Sequence, residues 1–255
     1  MKLLASDYDG TLLYAQKVMQ EDIDAIKNWR ENGNLFVMAT GRSFESIEKE
    51  MKKYDIQVDY YITNNGGVVF DGQGNILYSS YLDSIISLDI MYITKHIEGV
   101  VSYVVNDGIH RHRVIVNDGF EEKRYPDLMP DLSEEEVMDL GKYAQIVISM
   151  ATRELAIDLA KAINTHFSDT VVAYSNNYVV DAVPKGTSKS TGVDFVCEYA
   201  NVTEMETYTI GDSYNDIPLL EYGVHGSCMN WAVDDVKQHA SYCYGSIHEM
   251  IQNIQ

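Results

Sequence analysis

The sequence predicts an α/β protein in which an open parallel sheet is interrupted by a second, α+β domain. Short apolar strands alternate with amphipathic helices over residues 1–81, and the same alternation returns over residues 185–255. Between them, over residues 82–184, neighbouring strands are joined by tight turns. Alternating strands and helices imply right-handed crossovers and parallel pairing, whereas strands joined by tight turns imply antiparallel pairing. We therefore expect one domain, formed by both ends of the chain, with the middle segment inserted into it.

The first part of the predicted parallel domain contains two helices and three strands. In the first helix, Ile23, Ile26 and Trp29 recur at helical spacing, and Gly33 follows as a stop signal. The predicted elements alternate between strand and helix in the order Lys2–Asp7, Asp22–Asn32, Asn34–Thr40, Phe44–Tyr54 and Tyr60–Thr63.

The inserted segment is predicted to form an antiparallel sheet with helices on one face, because turns such as Asn106-Asp107-Gly108 join adjacent strands. The predicted strand-forming segments are Val100–Asn106, His110–Asn117, Gln145–Met150 and Val171–Val183, and helices are expected near Ser133–Lys142 and Glu154–Thr165. The last part of the chain is predicted to add helices at Ser190–Tyr199 and Asp216–Tyr222 and strands at Thr207–Ile210, Val224–Met229 and Tyr242–Tyr244.

The charge balance argues against a nucleic-acid partner. The 255 residues include 19 Lys and Arg against 39 Asp and Glu, a formal charge of −20, and the longest basic run is Lys52-Lys53. Neutralising phosphate backbones or acidic membrane surfaces requires clustered basic residues. The longest apolar runs fall far short of the roughly 20 residues of a membrane helix. We therefore expect no nucleic-acid or membrane partner, and the sequence assigns no oligomeric state.

Two features of the sequence indicate the cellular compartment: the first residues of the chain and the number and spacing of the cysteines. The first residues open like a signal peptide, but Asp7 and Asp9 interrupt the apolar stretch too early, which predicts a cytoplasmic protein. The three cysteines, Cys197, Cys228 and Cys243, are odd in number and widely spaced. This usage indicates neither a disulfide framework nor a zinc site, and favours buried free thiols.

The segment Asp7–Leu12 places two acids directly after an apolar strand. Ligands of open parallel sheets bind beyond the carboxyl ends of the strands. Two carboxylates at such a position can divide acyl-phosphate chemistry, one attacking as nucleophile and the other giving a proton to the leaving group. A calcium loop is excluded, because Leu12 stands where that loop needs glycine and Val18 where it needs an acid.

Two further segments suit a phosphoryl group. Thr40-Gly41-Arg42 follows a predicted strand and offers a hydroxyl and backbone N–H groups at a helix start. Lys189 lies at the start of a later helix. It is not part of a nucleotide-binding P-loop, because Ser188 and Val183 occupy the positions at which that motif requires glycine.

The segment Gly211–Asp216 supplies two acids and an amide after another strand. Magnesium prefers oxygen ligands and needs only one or two carboxylates besides substrate phosphate. Asp7, Asp9, Asp212 and Asp216 at one sheet edge would repel one another strongly without a cation. The sequence therefore predicts a divalent metal at this edge.

Taken in order, these four segments resemble the four motifs of the haloacid dehalogenase superfamily, and its Cof-type subfamily with a type IIB cap between the second and third motifs fits best. The segment Thr63–Gly67 is also similar to the family's asparagine-glycine turn after the third strand. The resemblance covers essentially the whole chain. It implies a Rossmann-like core with an inserted α+β cap that selects the substrate.

The resemblance implies a magnesium-dependent phosphatase of small phosphorylated metabolites, sugar phosphates first. By motif position Asp7 would form an aspartyl-phosphate and Asp9 would protonate the leaving group and then activate water, while Thr40 and Lys189 would hold the phosphoryl oxygens. The implied phosphate-binding residues are Tyr8, Gly41, Arg42 and Asn215. The implied magnesium ligands are the carboxylate of Asp7, the carbonyl of Asp9 and the side chain of Asp212, with Asp216 in a direct or supporting role.

Two other functions remain open from the residues alone. A phosphomutase of this fold would share the motifs, although the arginine-rich grip of phosphomannomutase caps is not matched by His110–Arg113, whose alternation favours an exposed polar strand. A non-catalytic sensor of phosphorylated metabolites would be expected to lack Asp7 or Asp9, and both are present. Dehalogenation is disfavoured because it has no use for a proton donor at Asp9.

The chain departs from the family pattern after the fourth motif. Where the family usually has methionine-glycine-asparagine-alanine, this sequence has Met229-Asn230-Trp231-Ala232. A tryptophan thus lies where glycine is common, and we expect a loop of different shape with unchanged chemistry.

Overall fold

Two units divide the chain in the computed structural model, which describes residues 1–254. The first unit combines Met1–Tyr78 with the chain from Ser188 onward, and the second unit is Ser79–Thr187. The sequence places the corresponding boundaries after residues 81 and 184. Each unit is described by itself below.

The described residues form thirteen strands and nine α-helices. The strands are β1 (Leu3–Ser6), β2 (Leu35–Ala39), β3 (Tyr60–Thr63), β4 (Val68–Asp71), β5 (Ile76–Ser79), β6 (Val100–Asn106), β7 (Arg111–Ile115), β8 (Gln145–Met150), β9 (Val171–Asn176), β10 (Val179–Pro184), β11 (Thr207–Gly211), β12 (His225–Met229) and β13 (Tyr242–Tyr244). The helices are α1 (Gln20–Glu31), α2 (Phe44–Lys53), α3 (Ser84–Thr94), α4 (Glu134–Met138), α5 (Arg153–His166), α6 (Lys189–Ala200), α7 (Ile217–Leu220), α8 (Asp234–Lys237) and α9 (Ile247–Ile254).

The sheet of the first unit has eight strands in the order β13-β12-β11-β1-β2-β3-β4-β5. The pairs from β13 to β3 are parallel, and β4 runs antiparallel to β3. The predicted Rossmann-like parallel sheet is confirmed. Because β11, β1 and β2 are neighbours, the residues that follow them, Asp212, Asp7 and Thr40, come out at the same edge.

The core of the first unit lies between the sheet and its helices. Trp29 is fully buried on α1 and donates its indole N–H to the carbonyl of Leu35 at 2.8 Å. On α6, a Cβ at Gly192 would lie 2.3 Å from Cγ2 of Ile62, so glycine lets this helix approach the sheet closely. The residues of the main cluster are Leu3, Ala5, Val37, Ala39, Ile62, Val69, Val193, Val196, Cys197, Val202 and Leu219.

The second unit is an antiparallel sheet in the order β7-β6-β8-β10-β9. One face of it packs on α3 and α5 through Tyr103, Ile146, Ile148, Leu159 and Ile163, which are all buried. The predicted α+β class of the insertion is thereby confirmed.

Several predicted elements differ from the observed ones. The segment Val171–Val183 is a hairpin of β9 and β10, because Asn177 at φ 54° turns the chain. The helix expected at Ser133–Lys142 spans only α4. Helix α3 is missing from the prediction because its apolar residues do not form one stripe; the side chain of Asp83 caps it by accepting the N–H groups of Ile85 and Ile86 at 2.9 and 3.1 Å.

The helix predicted at Asp216–Tyr222 is also shorter than expected. A 3₁₀ turn at Tyr214–Asp216 leads into α7, which ends at Leu220. Helices α8 and α9, near the end of the chain, are absent from the prediction. Across residues 1–254, none of the helices has the length and apolar character that crossing a bilayer would need.

The cysteines are free thiols, but not all of them are buried. Cys197 and Cys228 are buried, whereas Cys243 on β13 is exposed. The expectation of buried thiols is wrong for Cys243, because β13 is the edge strand of its sheet and nothing covers that side chain fully.

Candidate active site

Three carboxylates converge at the carboxyl edge of the parallel sheet. Asp7 follows β1, Asp212 follows β11, and Asp216 ends the 3₁₀ turn after Asp212. One oxygen from each lies within 4.8 Å of the others. Asp7 and Asp216 are 4% and 0% exposed, so the negative charges are held largely out of water.

Lys189 neutralises part of this charge. Its Nζ lies 2.6 Å from Oδ1 of Asp7 and 2.6 Å from Oδ1 of Asp216, and the side chain is 1% exposed. The lysine is the first residue of α6, and the preceding Ser188 caps that helix by accepting the N–H of Thr191 at 3.2 Å. The cap thus fixes the point from which the lysine reaches the carboxylates.

The cluster holds more negative charge than Lys189 offsets. Burial, followed by the charge of Asp216, raises the pKa of Asp7 well above its usual 3.8, although the charge and hydrogen bond of Lys189 act to lower it. Burial, followed by the charge of Asp216, raises the pKa of Asp212 to about 6. For Lys189 burial acts to lower the pKa, but Asp216 and Asp7 outweigh it and raise the pKa above 10.5. The arrangement therefore favours an added cation.

Hydrogen bonds orient both acids of the fourth motif. The hydroxyls of Thr11 and Ser213 donate to the two oxygens of Asp212 at 3.1 and 3.0 Å. The backbone N–H groups of Asp212 and Ser213 both donate to Oδ2 of Asp216 at 3.0 Å. A Cβ at Gly10, where φ is +95°, would lie 2.4 Å from Asp212, so only glycine fits there.

The carboxylate of Asp9 forms an ion pair with Arg42. Arg42 binds it through two hydrogen bonds, from Nε at 2.8 Å and from Nη2 at 2.7 Å. The guanidinium also lies over the ring of Tyr8, 4.7 Å from its centroid. The hydroxyl of Tyr8 in turn donates to Glu50 at 2.9 Å. Arg42, expected to bind phosphate, is therefore engaged with Asp9 in this structure.

Thr40 lies beside two buried side-chain amides, those of Asn65 and Asn215. Thr40 is 1% exposed, and its hydroxyl accepts the N–H of Arg42 at 3.2 Å. The amide of Asn215 donates to Oδ1 of Asn65 at 3.1 Å. Among the described residues, Nδ2 of Asn65 and Oδ1 of Asn215 have no hydrogen-bond partner although both are buried. The Asn65 Nδ2 can donate a hydrogen bond to a polar ligand, and the Asn215 Oδ1 can accept one.

Two backbone features make this amide cluster possible. Asn64 and Asn65 both have left-handed φ angles, 53° and 54°, which asparagine tolerates better than most residues. At Gly41 a Cβ would lie 3.2 Å from the side-chain amide of Asn65, so the glycine keeps the two turns close.

Trp231 packs against the loop of the first motif, Asp7–Leu12. Its indole N–H donates to the carbonyl of Gly10 at 2.8 Å, and its ring stacks on Tyr14 with centroids 3.8 Å apart. The tryptophan that departs from the family pattern therefore contacts the loop that carries Asp9.

The structure brings Asp7, Lys189, Asp212 and Asp216 together as the sequence predicts for one sheet edge. Thr40, Gly41 and Asn215 lie together at the buried amide cluster. Asn65 was not among the predicted site residues, although the Asn-Asn-Gly sequence after β3 signals an unusual turn. Nothing in the sequence pairs Glu50 with Tyr8.

A family model for haloacid dehalogenase-like hydrolases matches residues 4–250. The chain belongs to this family. The fold resembles that of a solved subclass IIB sugar phosphatase, which is 23% identical with a TM-score of 0.82, over 100% of this chain and 98% of the other. A haloacid dehalogenase-like hydrolase from Bacteroides thetaiotaomicron is 20% identical with a TM-score of 0.82, over 100% and 99% of the two chains.

A curated relative has a more specific name. A 5-amino-6-(5-phospho-D-ribitylamino)uracil phosphatase of Bacillus subtilis is 25% identical over 94% of this chain and 90% of its own length. The haloacid dehalogenase-like chain is accordingly an enzyme, a hydrolase of the phosphatase type.

Proposed function

We propose that the protein is a magnesium-dependent phosphatase that hydrolyses small phosphomonoesters through an aspartyl-phosphate on Asp7. The observation that carries the proposal is the group of Asp7, Asp212 and Asp216 around the buried ammonium of Lys189, with oxygens within 4.8 Å of one another. All of these groups lie at the edge of a parallel sheet where ligands bind.

The residues of the cluster fit a magnesium ion. Its side-chain donors are all carboxylate oxygens, which magnesium prefers, and burial followed by the charge of Asp216 raises the pKa values of Asp7 and Asp212. Asp7, Asp212 and Asp216 would hold the ion, together with the carbonyl of Asp9. When bound, magnesium would neutralise charge on the phosphoryl group and on these acids.

In the first half of the reaction, an oxygen of the Asp7 carboxylate attacks phosphorus and the bond to the leaving oxygen breaks. Asp9 gives its proton to that oxygen, so an alcohol leaves. Lys189, held 2.6 Å from Asp7, offsets charge on the transferring group. The hydroxyl of Thr40, the unpartnered Nδ2 of Asn65 and the remaining N–H of the Asn215 side chain supply hydrogen bonds to the phosphoryl oxygens.

In the second half, Asp9 takes a proton from water and the water oxygen attacks the aspartyl-phosphate. Inorganic phosphate leaves, and the carboxylate of Asp7 is restored. The ion pair of Asp9 with Arg42 must loosen before Asp9 can carry a proton, because both of its oxygens accept hydrogen bonds from the guanidinium. A substrate phosphate near Arg42 offers a competing anion for that guanidinium.

The substrate we propose is a phosphate ester of a polyhydroxylated chain, with sugar phosphates first. Support comes from relatives whose names include a sugar phosphatase and a phosphatase of a phosphoribityl compound. We further propose that the inserted unit selects among such substrates as a cap, because the four motifs all lie in the first unit.

The test is phosphate release from a panel of sugar phosphates, nucleotides, pyridoxal phosphate and flavin mononucleotide, with magnesium and after exhaustive chelation. We expect release from at least one sugar or polyol phosphate and none after chelation. Asp24→Asn, at an exposed position of α1, serves as a matched control for substitutions in the site. Full activity in chelator would contradict the metal requirement.

The same panel separates the alternatives. A phosphomutase would convert a sugar phosphate into its isomer without stoichiometric inorganic phosphate, and a sensor would bind without turnover. Replacing residues 82–184 with a short linker addresses the cap: a generic ester should still be cleaved slowly while discrimination is lost. An excised core that kept the substrate ranking would contradict the cap assignment.

A further inference from the structure

We propose that Cys228 and Cys243 form a peroxide-oxidisable dithiol that closes to a disulfide within the sheet of the first unit. The proposal is independent of the phosphatase site. It rests on the register of two strands, on the separation of the two sulfurs, and on their unequal exposure.

The two cysteines occupy opposite positions on neighbouring parallel strands. Strand β12 pairs with β13 so that Cys228 is the register partner of Cys243, and their Sγ atoms lie 2.9 Å apart. Neighbouring strands are about 4.8 Å apart, and the Cα atoms of disulfides are typically about 4.4–6.8 Å apart. A disulfide therefore fits this position without moving either strand away from its partner.

Exposure gives the two thiols different roles. Cys243 is exposed, so a dissolved oxidant reaches it first, whereas Cys228 is fully buried. Burial, followed by the neighbouring Cys243 thiol, raises the pKa of Cys228 to about 12. A buried protonated thiol reacts slowly with an oxidant in solution, but it lies next to any sulfenic acid formed on its neighbour.

The chemistry balances with hydrogen peroxide as the oxidant. The thiolate of Cys243 attacks one peroxide oxygen, the O–O bond breaks, and after protonation of the departing hydroxide the products are a sulfenic acid and water. The sulfur of Cys228 then attacks the sulfenic sulfur, the S–O bond breaks, and a second water leaves with the thiol proton. Two thiols are oxidised by two electrons in total, and one peroxide is reduced to two waters.

The closed loop would contain a residue that touches the first motif. Trp231 lies between the two cysteines in sequence and hydrogen-bonds the carbonyl of Gly10 at 2.8 Å. The loop is further tied to β13 by the N–H of Asn230, which donates to the carbonyl of Tyr244 at 2.8 Å. A disulfide would thus tether the edge strand to the strand from which this loop starts.

Cys197 supplies an internal control. It is buried in the apolar cluster of α6, and its Sγ lies 3.3 Å from the hydroxyl of Thr207 rather than near another sulfur. We expect it to stay reduced under conditions that oxidise the pair.

The experiment treats the full-length protein with dilute hydrogen peroxide and counts free thiols after unfolding. The count should fall from three to one, and peptide mapping should find the Cys228 and Cys243 peptides linked until dithiothreitol is added. Cys197→Ser should keep the link. Cys243→Ser, a change at an exposed position, should abolish it, and Cys228→Ser should leave a sulfenic acid at Cys243 that dimedone traps.

Hydrogen exchange supplies a second readout on the unmodified sequence. After oxidation, the amides of β13 should exchange at least about tenfold more slowly, because a link that closes a loop of roughly 15 residues removes open states. The proposal is overturned if three thiols remain, if the disulfide joins two molecules, or if Cys197 takes part. Unchanged exchange of β13 in a linked protein would overturn the tethering.

Discussion

Each unit holds a linked set of buried polar side chains, and the two sets differ in charge. In the first unit the set at the carboxyl edge of the sheet is dominated by negative charge: Asp7 and Asp216 share one ammonium, Lys189, at 2.6 Å. In the second unit Asn106, Gln145 and Asp181 form a ladder across neighbouring strands. Asn106 donates to Gln145 at 3.0 Å, and Gln145 donates to Asp181 at 2.5 Å.

The charged set belongs to the candidate active site, whereas the ladder of the second unit stabilises its sheet. Within residues 1–254, the one group of metal-binding side chains close enough to share an ion lies in the first unit. Its excess charge is costly in a buried place unless a ligand arrives. The ladder of the second unit joins strands β6, β8 and β10 by side-chain hydrogen bonds and stabilises the sheet. We therefore expect substitutions in the two units to affect different measurements.

The largest effect is expected for Asp7→Asn. Because an amide cannot act as the nucleophile, phosphate release should fall by at least about 10⁴-fold. Steady-state phosphate release measures this, with Asp24→Asn on the exposed face of α1 as the control. Turnover of Asp7→Asn at the wild-type rate would rule out the aspartyl-phosphate.

The next effect is expected for Asp9→Asn, which removes proton transfer but keeps the nucleophile. The value of kcat should fall by about 10²–10⁴-fold with KM little changed. Arg42→Gln is the matched variant, since it removes the partner of Asp9 and leaves the carboxylate in place. If Asp9→Asn kept full kcat, another group would have to be the acid.

The sequence predicted the part of the site that depends on backbone topology. Once β1, β2 and β11 are recognised as parallel neighbours, Asp7, Thr40 and Asp212 must share one edge. The pairing of Arg42 with Asp9 could not be predicted in this way, because it depends on how a long side chain turns after the strand ends.

The missed features share one cause: the local sequence at each of them is compatible with more than one structure. The apolar run of α3 has no single apolar stripe, and its helix is defined by the cap at Asp83 and by packing on the second sheet. The hairpin at Asn177 depends on one left-handed residue inside a strand-like segment. Trp231 could be recognised as unusual, but its bond to Gly10 joins positions 221 residues apart.

The stability of the variant Lys189→Met tests whether the two buried carboxylates, Asp7 and Asp216, depend on their shared ammonium. Removing the ammonium leaves two buried carboxylates without their shared partner, and the free energy of unfolding should fall by about 3–5 kcal/mol in urea. Lys161→Met, at a solvent-exposed ammonium on α5, should change it by less than about 0.5 kcal/mol. Adding Asp7→Asn to Lys189→Met should restore part of the loss; no restoration would argue against the charge explanation.

The pH dependence of stability tests the same cluster without its metal. The folded-state pKa of Asp212 is raised from 3.8 to about 6, so its stabilising contribution is complete below pH 4 and is lost as the pH rises through 6. The loss amounts to at most about 3 kcal/mol. Magnesium should therefore raise the melting temperature more at pH 7 than at pH 5.

Asp212→Asn is the control for this measurement, since it removes the titrating group. Its melting temperature should show a smaller response to magnesium at pH 7 and a flatter dependence on pH between 4 and 7. A magnesium effect of equal size at both pH values in the unmodified protein would contradict the assignment of the raised pKa to the metal site.

The smallest effect is expected in the second unit, for Gln145→Leu. Gln145 is fully buried and uses both ends of its amide, accepting from Asn106 and donating to Asp181. Leucine has a similar volume but satisfies neither partner, so unfolding should become easier by about 1–3 kcal/mol. Because this ladder lies outside the unit that carries Asp7, kcat for a small generic ester should stay within about twofold at a temperature at which the variant is folded. Parallel urea titrations and phosphate-release assays on one preparation measure both quantities. A loss of kcat comparable to that of Asp9→Asn would mean that the ladder positions reacting groups, and the division of labour between the two units would have to be abandoned.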